Sequence, residues 1–456
     1  MTASRKAAIL LLLSDSAATA LVLNAMAWLR GVQPMGTFIL EPLLVPIAAV
    51  AAALYLIDGY KMHTDMLSLD YASQHGIALI AAMVGTLVLT FVVMPGGYPL
   101  QNSRAVIALT FVLLIPVTLS YRRVVQWRIR EAQRRKTIVF IGDPASAASL
   151  QAEWQRFSMK QPLLLASGQS GNTAPFAEVA GQPVPFSDVL SRMRKGGLEV
   201  EAIVLRESNR EVSPETSQQL VDLYFSGTPT FTLELFHQVY WRKIPLYRLN
   251  QTWLFQGGFR AAREPVFERL KRVGDILLSS LGLVMLGPVM LLAAGAILLD
   301  DRGPVVFKQT RVGRFRVPFT VYKLRTMRAN STGGAYAEKG DMRVTRVGRW
   351  LRSSRLDEVP QLLNVLRGEM SLIGPRAEWD QLVGQYERDI PSYHFRHLVR
   401  PGITGWAQVN YPYGANLEDT RRKLEYDLYY IRHYSLLLDA SIVLKTVHVM
   451  LFGKGQ

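Results

Sequence analysis

The sequence predicts an integral membrane protein in three parts. These are an N-terminal four-helix transmembrane bundle, a central doubly wound α/β domain, and a C-terminal mixed α/β domain that carries its own apolar helix. Three observations predict this. Four apolar segments lie near residues 7–29, 41–57, 75–94 and 105–120, each close to the roughly 20 residues that cross a bilayer. Between 137 and 245, short apolar runs alternate with helical patterns, the signature of strands joined by crossover helices. A fifth apolar run, from Ile276 to Leu299, has Gly287 and Pro288 at its middle.

The 456 residues are enough for two or three domains, 49% of them are hydrophobic, and the net charge is +16. The positive charge lies outside the apolar runs, which fits a chain lying against anionic lipid and handling phosphorylated substrates. The arginines flank membrane-like segments, so nucleic acid is not the expected partner. There is no cysteine, which excludes disulfides, zinc thiolate sites and thiol nucleophiles. The seven histidines show no metal-ligand spacing beyond His394 and His397, which are expected to pack beside the basic segment.

The bundle spans residues 1–122. Arg5 and Lys6 precede its first apolar run, and Ala18-Thr19-Ala20 resembles a cleavage site. Asp15 interrupts that run and three more spans follow, so it reads as a span and not as a signal peptide. Lys61 lies between the second and third spans. Arg122, Arg123, Arg128, Arg130, Arg134, Arg135 and Lys136 crowd after the fourth, while the other loops carry only Arg30 and Arg104. The positive-inside rule then puts both ends of the bundle in the cytoplasm.

Residues 137–245 read as a small sheet with strands at 137–142, 163–166 and 202–205, helices at 145–157 and 214–226, and an extended stretch at 230–236. The turn after the first strand, Gly142 to Ala147, lacks the later glycines that let a pyrophosphate approach the backbone. It is a nucleotide-binding fold without a competent nucleotide site. Residues 246–264 form a linker whose Trp253, Phe255 and Phe259 serve either the membrane interface or packing between domains.

The last part, 265–456, holds the chemistry. Its apolar run follows Lys271 and Arg272 and is bounded by Asp275 and by Asp300-Asp301. Its length permits a span, but Pro288 removes a backbone hydrogen bond and crowds the preceding turn. Further on, the stretch from Arg352 to Arg376 sets Asp357 beside Glu358, then Pro360, then Leu356, Val359, Leu362, Leu363 and Leu366 at helical spacing. Proline belongs in a first turn, and Ser353 and Ser354 offer cap oxygens. The acid pair is therefore expected at or just before a helix N-terminus, where phosphate also binds well. A carboxylate nucleophile there makes chemical sense, and the adjacent carboxylate suits magnesium, which shares oxygen ligands with phosphates. The plainer alternative is a solvated helix start.

Two segments, 303–313 and 319–327, read as short strands that alternate apolar residues with cations and present Lys323 and Arg325 on one face. The pentapeptide at 310–314 recurs at 345–349, which makes two basic turns and not a repeat architecture. The loop 400–410 packs two glycines and a proline into its first six residues, so it is expected to bring backbone close to a ligand. Trp406 is a candidate for the bilayer interface. Leu436–Phe452 reads as an amphipathic helix on the membrane face.

Asp357-Glu358, then Gly374-Pro375-Arg376, then Arg400 to Asn410, in that order, resemble the bacterial sugar transferases, the monotopic polyprenyl-phosphate phosphoglycosyl transferases. The resemblance covers about 265–456. It implies a catalytic domain on a re-entrant helix at about 271–299, broken at Gly287-Pro288, and a degenerate Rossmann-like domain at 137–245. It implies transfer of a phosphosugar from a UDP-sugar to polyprenyl (undecaprenyl) phosphate, with UMP released and an aspartyl-phosphosugar intermediate. Asp357 would be the nucleophile and Glu358 the magnesium partner. Lys323, Arg325, Arg352, Arg376 and Arg400 would lie near the phosphates, and Asp427 matches a late acidic position of the site. A homodimer is expected, held in the bacterial inner membrane with the catalytic domain on the cytoplasmic face, where nucleotide sugars are made. Ala377 stands where the family has a second proline, which loosens the loop after Arg376. Two other classes compete. A membrane-bound nucleotide-sugar dehydratase or epimerase requires a complete glycine fingerprint and a Tyr-x-x-x-Lys pair. A polysaccharide export scaffold leaves the acid pair and the cations without a reason to coexist.

Overall fold

Long apolar runs with few breakers form long helices, and the first unit of the molecule opens with them. The computed structural model describes residues 3–38, 40–61, 64, 66–94, 103–133, 136–157, 159, 161–167, 184–206, 213–246, 265–328, 341–411, 414 and 416–452. They fall into two units, Met1–Trp241 and Arg242–Gln456. The second unit begins before the linker, and Trp253, Phe255 and Phe259 lie outside the described residues, as do Arg134 and Arg135.

The first unit holds helices Ala3–Leu29, Leu44–Leu56, Leu69–Val88 and Arg104–Gln133. Lys6–Leu29, Asp70–Val93 and Arg104–Arg128 are long and apolar enough to cross a membrane. Leu44–Leu56 has 13 residues and reaches only ~20 Å, short of a ~30 Å hydrocarbon core. Asp15, which interrupts the first apolar run, is buried and paired with Arg122 from the fourth helix, and Tyr60 donates to it at 2.7 Å. A charge inside such a bundle persists only when paired.

The same unit contains a parallel sheet of β1 (Thr137–Ile141), β2 (Leu163–Ser167), β3 (Val184–Pro185), β4 (Val200–Leu205) and β5 (Thr230–Thr232) in the order β3-β2-β1-β4-β5. All five residues of β1 are buried because both faces are covered. Ile138 and Phe140 pack with Trp154, whereas Val139 and Ile141 pack with Phe186 and Val189. The sequence reading missed β3 and the helix Phe186–Arg194. It also extended β5 too far: the Thr232 hydroxyl accepts from the Leu235 amide and starts a helix at Leu233.

The second unit opens with a helix running from Pro265 to Asp300, with Pro288 inside it. The chain does not leave the helix at Gly287-Pro288. The helix is followed by the antiparallel pair β6 (Val306–Val312) and β7 (Pro318–Leu324), and later by the parallel pair β8 (Ser371–Ile373) and β9 (Gly402–Thr404). Helices Leu417–Arg432 and Leu436–Phe452 close the unit around a core that includes Tyr393, Trp406, Leu428 and Ile431.

Two local expectations change here, and the orientation of a third element becomes visible. Trp406 is buried, donates to the Arg242 carbonyl at 3.0 Å and stacks on Tyr429, so it is a core anchor and not an interface residue. Ser353 and Ser354 donate back to the Trp350 carbonyl, each at 2.9 Å, and finish the helix Arg346–Ser353 instead of starting the next one. In Leu436–Phe452 the polar residues Asp439, Ser441 and His448 point inward, while Leu437, Met450, Leu451 and Phe452 are exposed. Its apolar face is therefore the outer one, as a lipid-facing helix requires.

Candidate active site

The chain reaches the acid pair through a reversal. Helix Arg346–Ser353 stops, Arg355 adopts the left-handed conformation at φ 58°, and Leu356–Glu358 form one tight 3-10 turn. Pro360 then leads into the helix Gln361–Arg367. The pair thus sits just before a helix N-terminus, but this helix has only seven residues, so the site's field comes from side chains and little from a helix dipole.

β7 brings Lys323 to Glu358, with Nζ 2.8 Å from Oε1, and the loop after β8 brings Arg376 to the same oxygen at 3.4 Å. Burial by itself raises the Glu358 pKa, but Arg376 and Lys323 outweigh it and hold the carboxyl well below the ordinary range. Asp357 behaves differently. Burial pushes its pKa up and the Glu358 charge adds to that, against Lys323, Arg355 and Arg352. Its Oδ1 is buried and has no hydrogen-bond partner among the described residues. Neighbouring carboxylates are thus driven apart, one fixed as a paired anion and the other left with an unengaged oxygen. Burial also lowers Lys323, Glu358 opposes that, and Arg376 and Arg311 reinforce it.

The backbone that carries Arg376 is interlocked. Gly374 N donates to the Thr404 carbonyl and Gly402 N to the Pro375 carbonyl, both at 2.9 Å. A Cβ on Gly402 would lie 2.1 Å from Gly374 N, and one on Gly405 would lie 2.0 Å from Gly374 O. The glycines of the 400–410 loop therefore let two backbones meet; the close approach is to Gly374, although Gly402 also lines the pocket beside Lys323 and Arg376. Arg396 adds a third tie, donating through Nη2 to the Arg376 carbonyl at 2.9 Å. The loop after Arg376, where Ala377 replaces a proline, is held by Arg311 Nη1 donating to the Ala377 carbonyl and by Val312 N donating to the Glu378 carbonyl at 3.1 Å.

The other expected residues are engaged with partners of their own. Arg352 is close enough to influence Asp357, yet its Nε donates to Thr326 Oγ1 at 2.8 Å. Arg325 clamps the end of the long helix through the Asp301 carbonyl and, at 3.6 Å, its carboxylate, so it does not share a partner with Lys323. Arg400 joins Arg314 on Glu268, at 3.1 and 2.8 Å. Asp427 is buried and pairs with Arg396 at 2.9 Å, so it reaches the site through Arg396 and the Arg376 carbonyl. Sequence reasoning missed Arg311, Gln361 and Arg396. The strand register held a signal for the first, since the cross-strand pairs Phe307–Lys323 and Arg311–Phe319 put Arg311 on the Lys323 face. Gln361, four residues after Asp357, held a helical-spacing signal.

Asp357, with its unpartnered buried oxygen, and Glu358 are the carboxylates that would hold a magnesium ion, the other ligands coming from water and phosphate. Among the described residues no group of three or more acidic or histidine side chains gathers to make a closed metal cage.

Comparison with known proteins addresses the same region. The family described as Bacterial sugar transferase matches residues 266–453. A UDP-N-acetylgalactosamine-undecaprenyl-phosphate N-acetylgalactosaminephosphotransferase of Aeromonas hydrophila is 39% identical over 269 residues, 59% of this chain and 63% of that protein. A UDP-glucose:undecaprenyl-phosphate glucose-1-phosphate transferase of Klebsiella pneumoniae is 36% identical over 271 residues, 58% of this chain and 56% of that protein. A protein of the same description from Caulobacter vibrioides is 46% identical over 185 residues, 40% of this chain and 69% of that protein. The chain thus spans about three-fifths of the length of the first two relatives. With more than two thirds of the third relative covered at this identity, the chain belongs to the bacterial sugar transferase family.

Proposed function

We propose that this chain is a phosphoglycosyl transferase that moves a phosphosugar from a UDP-sugar to polyprenyl phosphate, the first membrane step in building a surface polysaccharide. The observation that carries the proposal is the split acid pair: Glu358 held by Lys323 and Arg376, beside Asp357 with a buried, unengaged oxygen. The activities for which the relatives are named support it.

Lys323 and Arg376 bind and orient the diphosphate. An Asp357 oxygen attacks the phosphorus bearing the sugar, that phosphorus loses its bond to the bridging oxygen, and UMP departs with the electron pair. A phosphate oxygen of the polyprenyl acceptor then attacks the same phosphorus and returns Asp357 as a free carboxylate. Magnesium, held by Glu358 and Asp357, would supply charge neutralisation of the diphosphate.

The long helix supports a re-entrant reading. Near its start, Arg272 Nη2 donates to the Leu366 carbonyl at 2.6 Å, and Asp275 accepts from the Leu372 amide at 3.0 Å. Near its end, Ala293 and Ile297 pack with Leu324 and Leu351 of the same domain, and Asp300 accepts from the Val347 amide at 3.1 Å. Between them, Val284, Met285, Leu291 and Leu292 are exposed. Both ends held by one polar domain, with an apolar middle free, describes a helix that dips into a membrane and returns to the side it came from. Pro288, inside this helix, is the position where such a bend is expected. With the basic loops of the bundle, this supports a catalytic domain on the cytoplasmic face of the bacterial inner membrane. The β3-β2-β1-β4-β5 order supports a Rossmann-like central domain. Its would-be phosphate turn is taken by Asp143, which caps the next helix and pairs with Arg206 at 2.5 Å. A homodimer completes the proposal.

The test incubates membrane-embedded protein and polyprenyl phosphate with radiolabelled UDP-glucose, UDP-N-acetylgalactosamine and related UDP-sugars. Sugar and phosphorus label entering the lipid phase together, with UMP released, is the expected result. No lipid-phase label from any UDP-sugar overturns the proposal.

A further inference from the structure

Gln361 opens the helix after the acid pair and lines a small pocket with Arg311, Lys323 and Arg376, next to Val321 and Met370. It is 5% exposed, and its Nε2 donates to nothing among the described residues. A buried amide donor left without a partner is destabilising, and methionine would fill a similar volume without that cost. Arg311 donates to Gln309 and to the Ala377 carbonyl, while Lys323 and Arg376 donate to Glu358. Three cations line the pocket together with no acid, and two of them, Lys323 and Arg376, share the carboxylate of Glu358, which leaves the lining positive. The ligand it suits is an anion with an oxygen to spare for a neutral donor.

We propose that Gln361 is a binding residue for a phosphoryl oxygen, donating through Nε2 to an anion seated among Arg311, Lys323 and Arg376. The division of labour with Asp357 is chemical. A donor grips a phosphoryl oxygen but cannot attack phosphorus; an unengaged carboxylate oxygen can attack phosphorus but cannot grip the oxygen. Gln361 stands four residues from Asp357, so one turn of chain carries both functions. The assignment of the oxygen to a reacting phosphoryl group rests on the transferase reading above. Two sources can supply it, the diphosphate of the donor and the phosphate of the lipid acceptor.

The experiment uses the full chain in lipid nanodiscs, with Gln361→Met and Gln361→Glu. Inorganic pyrophosphate is the probe, read as a shift in Tm. In the wild type it raises Tm. In Gln361→Met the ligand-free Tm is equal or higher and pyrophosphate binds roughly tenfold or more weakly, as loss of one hydrogen bond to a charged group predicts. In Gln361→Glu the new carboxylate pairs with the three cations, so the ligand-free Tm rises and the pyrophosphate shift disappears. The kinetic arms name the source: a raised KM for UDP-sugar assigns the oxygen to the donor, and a raised KM for polyprenyl phosphate to the acceptor. Equal pyrophosphate affinity in wild type and Gln361→Met overturns the proposal, as does a lowered ligand-free Tm in Gln361→Met, which would make the side chain structural. A wild type that binds pyrophosphate through Gln361 but turns over no UDP-sugar leaves this site standing and removes the transferase reading instead.

Discussion

Lys323 Nζ lies 2.8 Å from Glu358 Oε1, and that contact links the strand β7 to the turn that carries both acids. With Arg376 it keeps Glu358 an anion, while Asp357 beside it has an oxygen with no hydrogen-bond partner among the described residues. Lys323→Met tests the link. Removing one side of a buried pair costs ~3–5 kcal/mol when the other charge is stranded. Here Arg376 remains at 3.4 Å, so the expected loss is smaller, about 2–3 kcal/mol. It should appear as a lower urea midpoint with an unchanged m-value, together with loss of lipid-linked product. An unmoved midpoint would mean that the pair contributes nothing to the fold.

Asp357→Asn should separate stability from activity. The substitution removes a buried charge that faces Glu358 and accepts no hydrogen bond at Oδ1. The Tm should hold or rise, while lipid-linked product falls by roughly 1,000-fold or more, the scale for loss of a nucleophile. Stability gained where activity is lost marks a group kept for function. Full turnover by this variant would take Asp357 out of its role.

The acid pair and its place before a helix were legible in a local pattern, whereas Lys323 and Arg376 were expected near it only through the family resemblance. Proline position and short-strand alternation are written in consecutive residues. The partners of Arg400 and Asp427 were not legible, because Glu268 and Arg396 lie 132 and 31 positions away in the chain. Charge at a distance does not name its counter-ion. Trp406 was misread for a related reason, since an indole looks alike at a lipid interface and in a core until its N–H partner is known. Arg311 was legible in principle, but only after the register of β6 on β7 was known. The five-stranded order emerged from strands the sequence suggested, yet two-residue β3 carries no period to read.

The interlock of β8 with β9 predicts a contrast between two glycines. In Gly402→Ala the new Cβ would meet Gly374 N at 2.1 Å, and backbone cannot yield as a flexible side chain does. The substitution should separate the strands, displace Arg376 and destabilise the domain by about 3 kcal/mol or more. In Gly287→Ala nothing lies within 4 Å, so packing within the protein should be unchanged. Thermal unfolding of the two variants in detergent checks the contrast. Equal Tm values would show that the two strands are not locked as described.

Asp427 predicts a pH dependence with a definite sign. Burial pushes its carboxyl up to about 6, against the pull of Arg396, with Glu378 reinforcing burial and Lys423 opposing it. The ordinary value is 3.8. Between about pH 4 and pH 6 the unfolded chain therefore ionises this acid while the folded chain still holds the proton. The folded state then binds more protons, and stability falls as pH rises. The contribution is complete below pH 4 and gone above pH 6, and it is on the order of 3 kcal/mol. Asp427→Asn carries no such proton, and its amide oxygen can still accept from Arg396. Urea midpoints of wild type and variant, measured from pH 4 to pH 7, should diverge at the acid end and converge toward neutrality once their difference at pH 7 is subtracted. Parallel curves would mean that Asp427 titrates at its ordinary value. Because Asp427 touches the site only through Arg396 and the Arg376 carbonyl, the same variant should lose less than roughly tenfold in turnover, the scale of one neutral hydrogen bond. A loss matching that of Asp357→Asn would place the Asp427 carboxylate on the substrate itself.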